Sequence, residues 1–421
     1  MKHIKSANLS PASQSKELQD AVSRIIDDVR RRGDEAVLEY ARKFDGAERP
    51  LFRVGEDELT AAQESVSDGE RAAMRLALNN IRAFAQAQRA SLRDIPRFEA
   101  MPGLILGHKL VPVDAVCCYV PGGVYPLFST ALMLVTPAKV AGVPRIAACS
   151  PVVKGTSSVN PKTLVALSLA GADEVYALGG VQAVAAFAYG TAQIAAVDMI
   201  VGPGNAFVAE AKRQCYGQVG IDFVAGPSEV MIIADDGADP ALVAADLLAQ
   251  CEHDKNAQGI LVSLSETLVQ RVIAEIETQL KALSTAPIAG HSWERNGEIL
   301  LAGGIDEAAA YANERAPEHL ELQTAHNREI IPALRNYGAL FIGPHSAEVF
   351  GDYAAGTNHT LPTARAARYT GGLWVGAFLK TLTFQHADAR AARALAPTVS
   401  LLARAEGLAA HSEAAKRRGA Q

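Results

Sequence analysis

The sequence predicts an α/β protein: two parallel-sheet halves of similar style with small helical N- and C-terminal parts. Three observations carry this reading. Apolar and charged residues alternate at helical spacing near the N-terminus, short apolar runs ending in glycine hand over to helices from residue 114, and a second set of such runs follows residue 228. Residues 12–95 include LQDAVSRIIDDVRRRG and DGERAAMRLALNNIRAFAQAQ, with Gly33 where one helix should stop and Ser67 and Asp68 where another should start. Next come DAVCCYVPGG, RIAACSP, EVYALGG before VQAVAAFAYG, and DMIVGPG before NAFVAEAKRQ, each a strand, a tight turn and a helix. EVMIIADD, GILVSLS, EILLAGG and ALFIGP repeat the pattern, separated by stretches long enough for crossovers. The Ala- and Arg-rich end, ADARAARALAPTVSLLARAEGLAAHSEAAKRR, contains Pro397 and predicts helices that pack on a neighbour.

Composition narrows the function class. The chain has 421 residues, 49% hydrophobic and 20% charged, enough for two or more cores at ~100–200 residues each. Forty basic against 46 acidic residues give a net charge of -6 without a basic stripe, so a small molecule rather than nucleic acid is the expected partner. The start, MKHIKSANLSPASQ, lacks the apolar core of a signal peptide. Residues 183–202, the most apolar stretch, are interrupted by Tyr189, Gly190, Gln193 and Asp198, so no membrane span and a cytoplasmic location are expected. Five cysteines, Cys117, Cys118, Cys149, Cys215 and Cys251, show no C-x-x-C spacing and suggest neither a disulfide framework nor a cysteine zinc site.

Four polar groupings are candidates for chemistry. Gln250 and His253, three apart in a helical pattern, share one face and are either a polar helix end or a ligand pair, while Cys251 points elsewhere. In Ala316-Pro317-Glu318-His319 the proline suits a helix's first turn, placing Glu318 and His319 near a helix N-terminus, where the dipole favours a carboxylate and a neutral histidine. The same pattern also describes a first-turn acid beside a surface histidine. Gly351–His359 is a glycine-flanked loop carrying Asp352 and His359, a turn or a site. Glu406 and His411, five apart, fall ~140° apart on a helix and need a break near Gly407 to serve one site. A G-x-G-x-x-G is missing. The turns Pro121-Gly122-Gly123, Gly179-Gly180 and Gly202-Pro203-Gly204-Asn205 could each bring backbone to a phosphate or serve tight packing.

Taken in order, YVPGG at 119–123, GPGN at 202–205, GPSEV at 226–230, QCEH at 250–253, APEHLE at 316–321, GDYAAGTNHTLPT at 351–363 and EGLAAH at 406–411 resemble the histidinol dehydrogenase family over nearly the whole chain. The resemblance implies a homodimer with a shared active site and subunits of four parts. These would be an N-terminal helical arm (1–23), a Rossmann-like domain with the metal and catalytic residues (24–121 and 230–370), a Rossmann-like NAD-binding domain (122–229), and a C-terminal helical tail reaching the partner (371–421). It further implies zinc held by Gln250, His253 and Asp352 with His411 of the other subunit, catalysis by Glu318 and His319, and substrate contacts from Ser228, His359 and Glu406. NAD would bind at Tyr119, Gln182 and Asn205. An amide oxygen, imidazoles and a carboxylate are a ligand set suited to zinc. The implied reaction is a four-electron oxidation of L-histidinol to L-histidine through a bound aldehyde; a zinc hydrolase would use similar groups for water attack.

One segment departs from the family. Where biosynthetic members carry a stretch like S-G-L-S-V-x-D-F, this chain reads Gly371-Gly372-Leu373-Trp374-Val375-Gly376-Ala377-Phe378, closer to a paralogous branch that includes sulfopropanediol dehydrogenases. Arg365 and Arg368 just before it would suit an anionic substrate such as 2,3-dihydroxypropane-1-sulfonate, or are simply solvated.

Overall fold

The computed structural model describes residues 1–8, 16–122, 125–224 and 226–420, so Gly123 of the first glycine turn lies outside the described residues. The chain opens with strand β1 (Lys2–Lys5), then α1 (Lys16–Arg32), α2 (Asp34–Tyr40), a single π-helical turn (Ala41–Asp45), α3 (Glu56–Ser65) and α4 (Asp68–Ser91). Gly33, at φ 57°, ends the first helix as expected. The Ser67 hydroxyl caps α4 by accepting from Glu70 N–H, with the Glu70 carboxylate reaching back to Ser67 N–H. The first residues are extended rather than part of a helical arm, because β1 adds antiparallel to a sheet edge far along the chain.

After the hairpin β2 (Ile95–Met101) and β3 (Leu104–Pro112) come β4 (Ala115–Tyr119), α5 (Ser129–Ala141), β5 (Arg145–Ser150), α6 (Pro161–Ala170), β6 (Glu174–Ala177), α7 (Gly180–Tyr189), β7 (Met199–Val201), α8 (Ala206–Cys215) and β8 (Gly220–Ile221). The last five strands form an all-parallel sheet in the order β6-β5-β4-β7-β8. Its strands are buried on both faces, which is why they read as unbroken apolar runs. Helices α1 to α4 bury Val22, Val29, Val37 and Ile81 in the same core.

The second unit runs β9 (Glu229–Ala234), α9 (Pro240–Cys251), β10 (Gln258–Ser263), α10 (Glu266–Ala282), α11 (Ala286–Asn296), β11 (Glu298–Leu301), α12 (Ile305–Arg315), β12 (His319–Gln323), α13 (Asn327–Ile330), β13 (Ala339–Ile342) and α14 (Glu348–Tyr353). Its sheet order, β1-β11-β10-β9-β12-β13, repeats the first plan: successive strands step one way from the first strand, then the chain crosses back to its other side. Each sheet therefore has a switch point, between β4 and β7 and between β9 and β12.

The C-terminal part is not helical throughout. Strand β14 (Leu379–Ala387) pairs with β3 along its full length before α15 (Ala389–Ala405) and α16 (Ala409–Gly419) close a helical hairpin. Gly407, at φ 79°, makes the break between them that the spacing of Glu406 and His411 required. The five cysteines are buried and unpaired, and among the described residues no helix is long and apolar enough to cross a membrane.

Candidate active site

Glu318 and His319 do not stand at a helix N-terminus. Helix α12 stops at Arg315, Ala316 turns left-handed at φ 50°, and Pro317, which cannot extend a helix, hands over directly to β12. The stretch His319–Gln323 is buried at every residue, as an inner strand of a parallel sheet must be. The helix dipole thus plays no part, and burial and neighbouring charges set the protonation of the pair.

Both side chains are fixed by one residue of the adjacent strand. Glu229 N–H donates to Glu318 Oε2 at 3.0 Å, while Glu229 C=O lies 3.2 Å from His319 Nδ1. Around the imidazole stand Glu348 Oε1 at 3.5 Å, Asp352 Oδ1 at 3.5 Å and Glu318 Oε2 at 3.7 Å. Burial raises the Glu318 carboxyl to about 8, against the pull of His319. Burial alone would lower His319, but the carboxylates, Glu348 foremost and then Glu318, outweigh it and hold His319 well above the ordinary imidazole range.

The candidate metal ligands converge on the same place. Asp352 sits on the short helix α14 rather than in a loop, and His253 lies just beyond the end of α9, its Nε2 3.8 Å from Asp352 Oδ2. One ligand atom each from His253, Glu348 and Asp352 falls within 4.8 Å of the others. Gln250, fully buried in the last turn of α9, has its side-chain amide between Glu348 Oε1 and Glu229 N–H, and satisfies both, at 2.6 and 2.7 Å, when its nitrogen is turned to the carboxylate and its oxygen to the N–H. Glu348 is the member missed in the sequence; its spacing of four from Asp352, which puts both carboxylates on one helical face, was the available signal.

His359 accompanies them. Its Nδ1 lies 2.8 Å from Asp352 C=O and its Nε2 3.1 Å from Thr130 Oγ1, while Asn358 donates to Met133 C=O at 2.8 Å, docking this loop on α5 of the first unit. Ser228 is half-buried immediately before Glu229. Glu406 and His411 are exposed on the C-terminal hairpin, and no contact among the described residues joins them to the cluster of their own chain.

The dinucleotide candidates gather at the other switch point. Tyr119 ends β4, and its hydroxyl accepts from Gly180 N–H at 3.1 Å at the start of α7. A Cβ on Gly202, which follows β7 at φ 118°, would fall 2.2 Å from Tyr119 C=O, so only glycine permits this approach. Gln182 is buried with its Oε1 unpartnered, and Asn205 caps α8 by accepting from Phe207 and Val208 N–H at 3.0 and 3.1 Å.

Two doubly wound sheets, with a buried cluster of carboxylates and imidazoles in the second and the Asn358–His359 loop beside it docked on α5 of the first, define the α/β class to which the chain belongs. The chain's similarities agree. Residues 9–419 match the family model described as histidinol dehydrogenase. A histidinol dehydrogenase homolog of Shouchella clausii is 45% identical, covering 95% of this chain and 94% of that one, and a histidinol dehydrogenase of Rhizobium meliloti is 46% identical, covering 94% and 91%. The crystal structure of histidinol dehydrogenase from Elizabethkingia anophelis superposes with a TM-score of 0.92 at 36% identity, covering 98% of this chain and 94% of that one. The chain belongs to the histidinol dehydrogenase family, a family of oxidoreductases.

Proposed function

We propose that this protein is a zinc- and NAD-dependent dehydrogenase that oxidises a primary alcohol to a carboxylate through a bound aldehyde, with L-histidinol as its substrate. The observation that carries the reading is the docking of the Asn358–His359 loop onto α5, the helix that follows the switch-point strand β4. An acid–base cluster and a dinucleotide crevice thereby become parts of one site.

The residues suit both groups. Buried carboxyls of Glu318, Glu348 and Asp352 outnumber the cations near them, and His319 Nε2, 3.5 Å from Asp352 Oδ1, and Glu348 Oε2 are buried without a hydrogen-bond partner, a donor set short of positive charge. At the β4–β7 switch point Gln182 Oε1 is buried without a hydrogen-bond partner, an acceptor left for a ligand's donor. Zinc would be held by Gln250, His253 and Asp352 with the partner subunit's His411, and NAD at Tyr119, Gln182 and Asn205. When bound, the metal supplies Lewis-acid polarisation of an alcohol oxygen and the dinucleotide a hydride acceptor.

The chain's own residues do the proton work. His319 takes the hydroxyl proton in each of two successive oxidations of one carbon, and Glu318 takes a proton from the water that adds to the aldehyde between them. Their adjacency across the Glu229 backbone lets one rigid frame aim both at the same atom. Ser228, His359 and Glu406 of the second subunit would orient the rest of the substrate. Two chains sharing one site would make the protein a homodimer.

A second substrate reading rests on the Trp374 segment, since relatives named histidinol dehydrogenase homolog match this chain as well as those named histidinol dehydrogenase. Oxidation of 2,3-dihydroxypropane-1-sulfonate to sulfolactate would use the same machinery. Following NADH formation by zinc-replete protein with L-histidinol and with the sulfonate in parallel separates the two. Turnover of L-histidinol that a chelator abolishes is the expected result; turnover of the sulfonate alone replaces the substrate, and hydrolysis of esters without NADH formation would replace the reaction class.

A further inference from the structure

Beside the first turn of α7 stands a carboxylate that no sequence motif announced. Asp45 closes the π-helical turn that follows α2, and Gly46, at φ 66°, lets the chain leave sharply behind it. Such turns concentrate at functional sites because they displace one residue from helical register. Asp45 Oδ2 accepts from Gln182 Nε2 at 3.2 Å, and Gln182 lies one turn of backbone from Gly180, whose N–H is held by the Tyr119 hydroxyl at 3.1 Å. Two short links therefore tie the carboxylate to the rim of the switch point.

The setting points to a ligand. Asp45 is half-buried and has no cation partner among the described residues, and the Gln182 amide it touches is 1% exposed with its Oε1 unpartnered. The first turn of α7, which carries Gly180 and Gln182, follows directly from β6, and in the sheet order β6-β5-β4-β7-β8 that strand stands on the opposite side of β4 from β7 and the Gly202 turn. In doubly wound dehydrogenases that side takes the adenosine half of the dinucleotide, and an acidic residue near the second strand binds the ribose diol. Here β5 is followed by Pro151, Val152, Val153 and Lys154, with no acid at that place.

We propose that Asp45 supplies the missing carboxylate: it accepts from the adenosine ribose hydroxyls and, by its charge, excludes a 2′-phosphate, so that the N-terminal segment selects NAD over NADP. This rests on the dinucleotide-dependent reading above. Lys154 is the competing feature, since a cation after β5 would instead favour the phosphate.

Calorimetric titration of the full-length protein with NADH and NADPH, for the wild type and for Asp45→Asn and Asp45→Glu, tests it. The asparagine keeps the acceptor for Gln182 and removes the charge. The wild type should bind NADH at least about tenfold more tightly than NADPH, Asp45→Asn should bring the two within about threefold chiefly by improving NADPH, and Asp45→Glu should keep the preference. A ratio unchanged in Asp45→Asn, or a wild type that prefers NADPH, overturns the role of Asp45. A wild type that binds neither overturns the dinucleotide reading itself, and circular dichroism separates a folded Asp45→Asn from a collapsed one, in which case Asp45→Glu with a reversed preference still overturns the proposal.

Discussion

Around His319 two electrostatic effects oppose each other, and the result sets how the site responds to metal. Desolvation disfavours imidazolium, yet the acidic groups around it, Glu348 foremost, raise its affinity for a proton above the ordinary imidazole range, while burial raises the carboxyls of Glu348 and, to about 8, of Glu318. Metal-free protein at neutral pH therefore holds protons on residues that should be bases. A dication among these carboxylates reverses both preferences, so zinc loading at pH ~7 should release about one to two protons per subunit and tighten as pH rises. Calorimetry of zinc binding in buffers of different ionisation enthalpy reads this directly, and an uptake of protons or none at all would contradict it. At this scale the sequence marked Glu318, His319, His253 and Asp352 as candidates but not the surroundings in which the fold places them. Pro317 suggested a helix start, but a proline just after a helix's last turn serves equally well as its stop, and only the pairing of β12 with β9 decides between them. Glu348 escaped because a carboxylate before Val349 and Phe350 looks like an ordinary first-turn acid until the helix is seen to turn it inward.

Between α9 and β12 lies a second carboxyl pair, half-buried Asp246 and buried Glu321, the latter accepting from Glu348 N–H at 2.7 Å. Burial raises Asp246 to about 6, and burial then the Asp246 charge raise Glu321 to about 8. Folded-state values above the unfolded ones mean that the pair's contribution to stability is complete below the ordinary carboxyl values of 3.8 and 4.5 and is lost as pH rises through about 6 and then 8. Urea unfolding of metal-free protein should show a loss on the order of 2 kcal/mol across that window, and Glu321→Gln should flatten it. An equally steep profile in the variant would contradict the assignment. Elements themselves were legible: the Ser67 cap, the Gly33 stop and the glycine-ended apolar runs all mark real boundaries. β1 and β14 were not, because an edge strand's pattern depends on a partner distant in sequence, β11 for one and β3 for the other.

On the scale of the whole molecule, the C-terminal hairpin holds the unanswered part of the site. Its helices pack on each other through Ala396, Ala403 and the Ser400–Ser412 hydroxyl pair at 2.7 Å, yet leave Leu401, Leu402 and Leu408 exposed. A second subunit would cover that apolar edge and receive His411. Mixing His411→Ala and Glu318→Gln subunits, neither of which should form carboxylate alone, through unfolding and refolding should then restore about a quarter of wild-type carboxylate formation, since half the dimers are mixed and each holds one intact site. No recovery would place all ligands on one chain. The periodicity of this end showed helices and the spacing of Glu406 and His411 showed the break, but a second chain leaves no periodic mark in a sequence. The central claim is that one pair, Glu318 and His319, carries both oxidations of one carbon, and the yield of NADH from a limiting amount of alcohol tests it most directly. Wild-type protein should give two NADH per alcohol, and Glu318→Gln should stop at one with aldehyde accumulating; a yield of one from the wild type, or of two from the variant, would contradict the account.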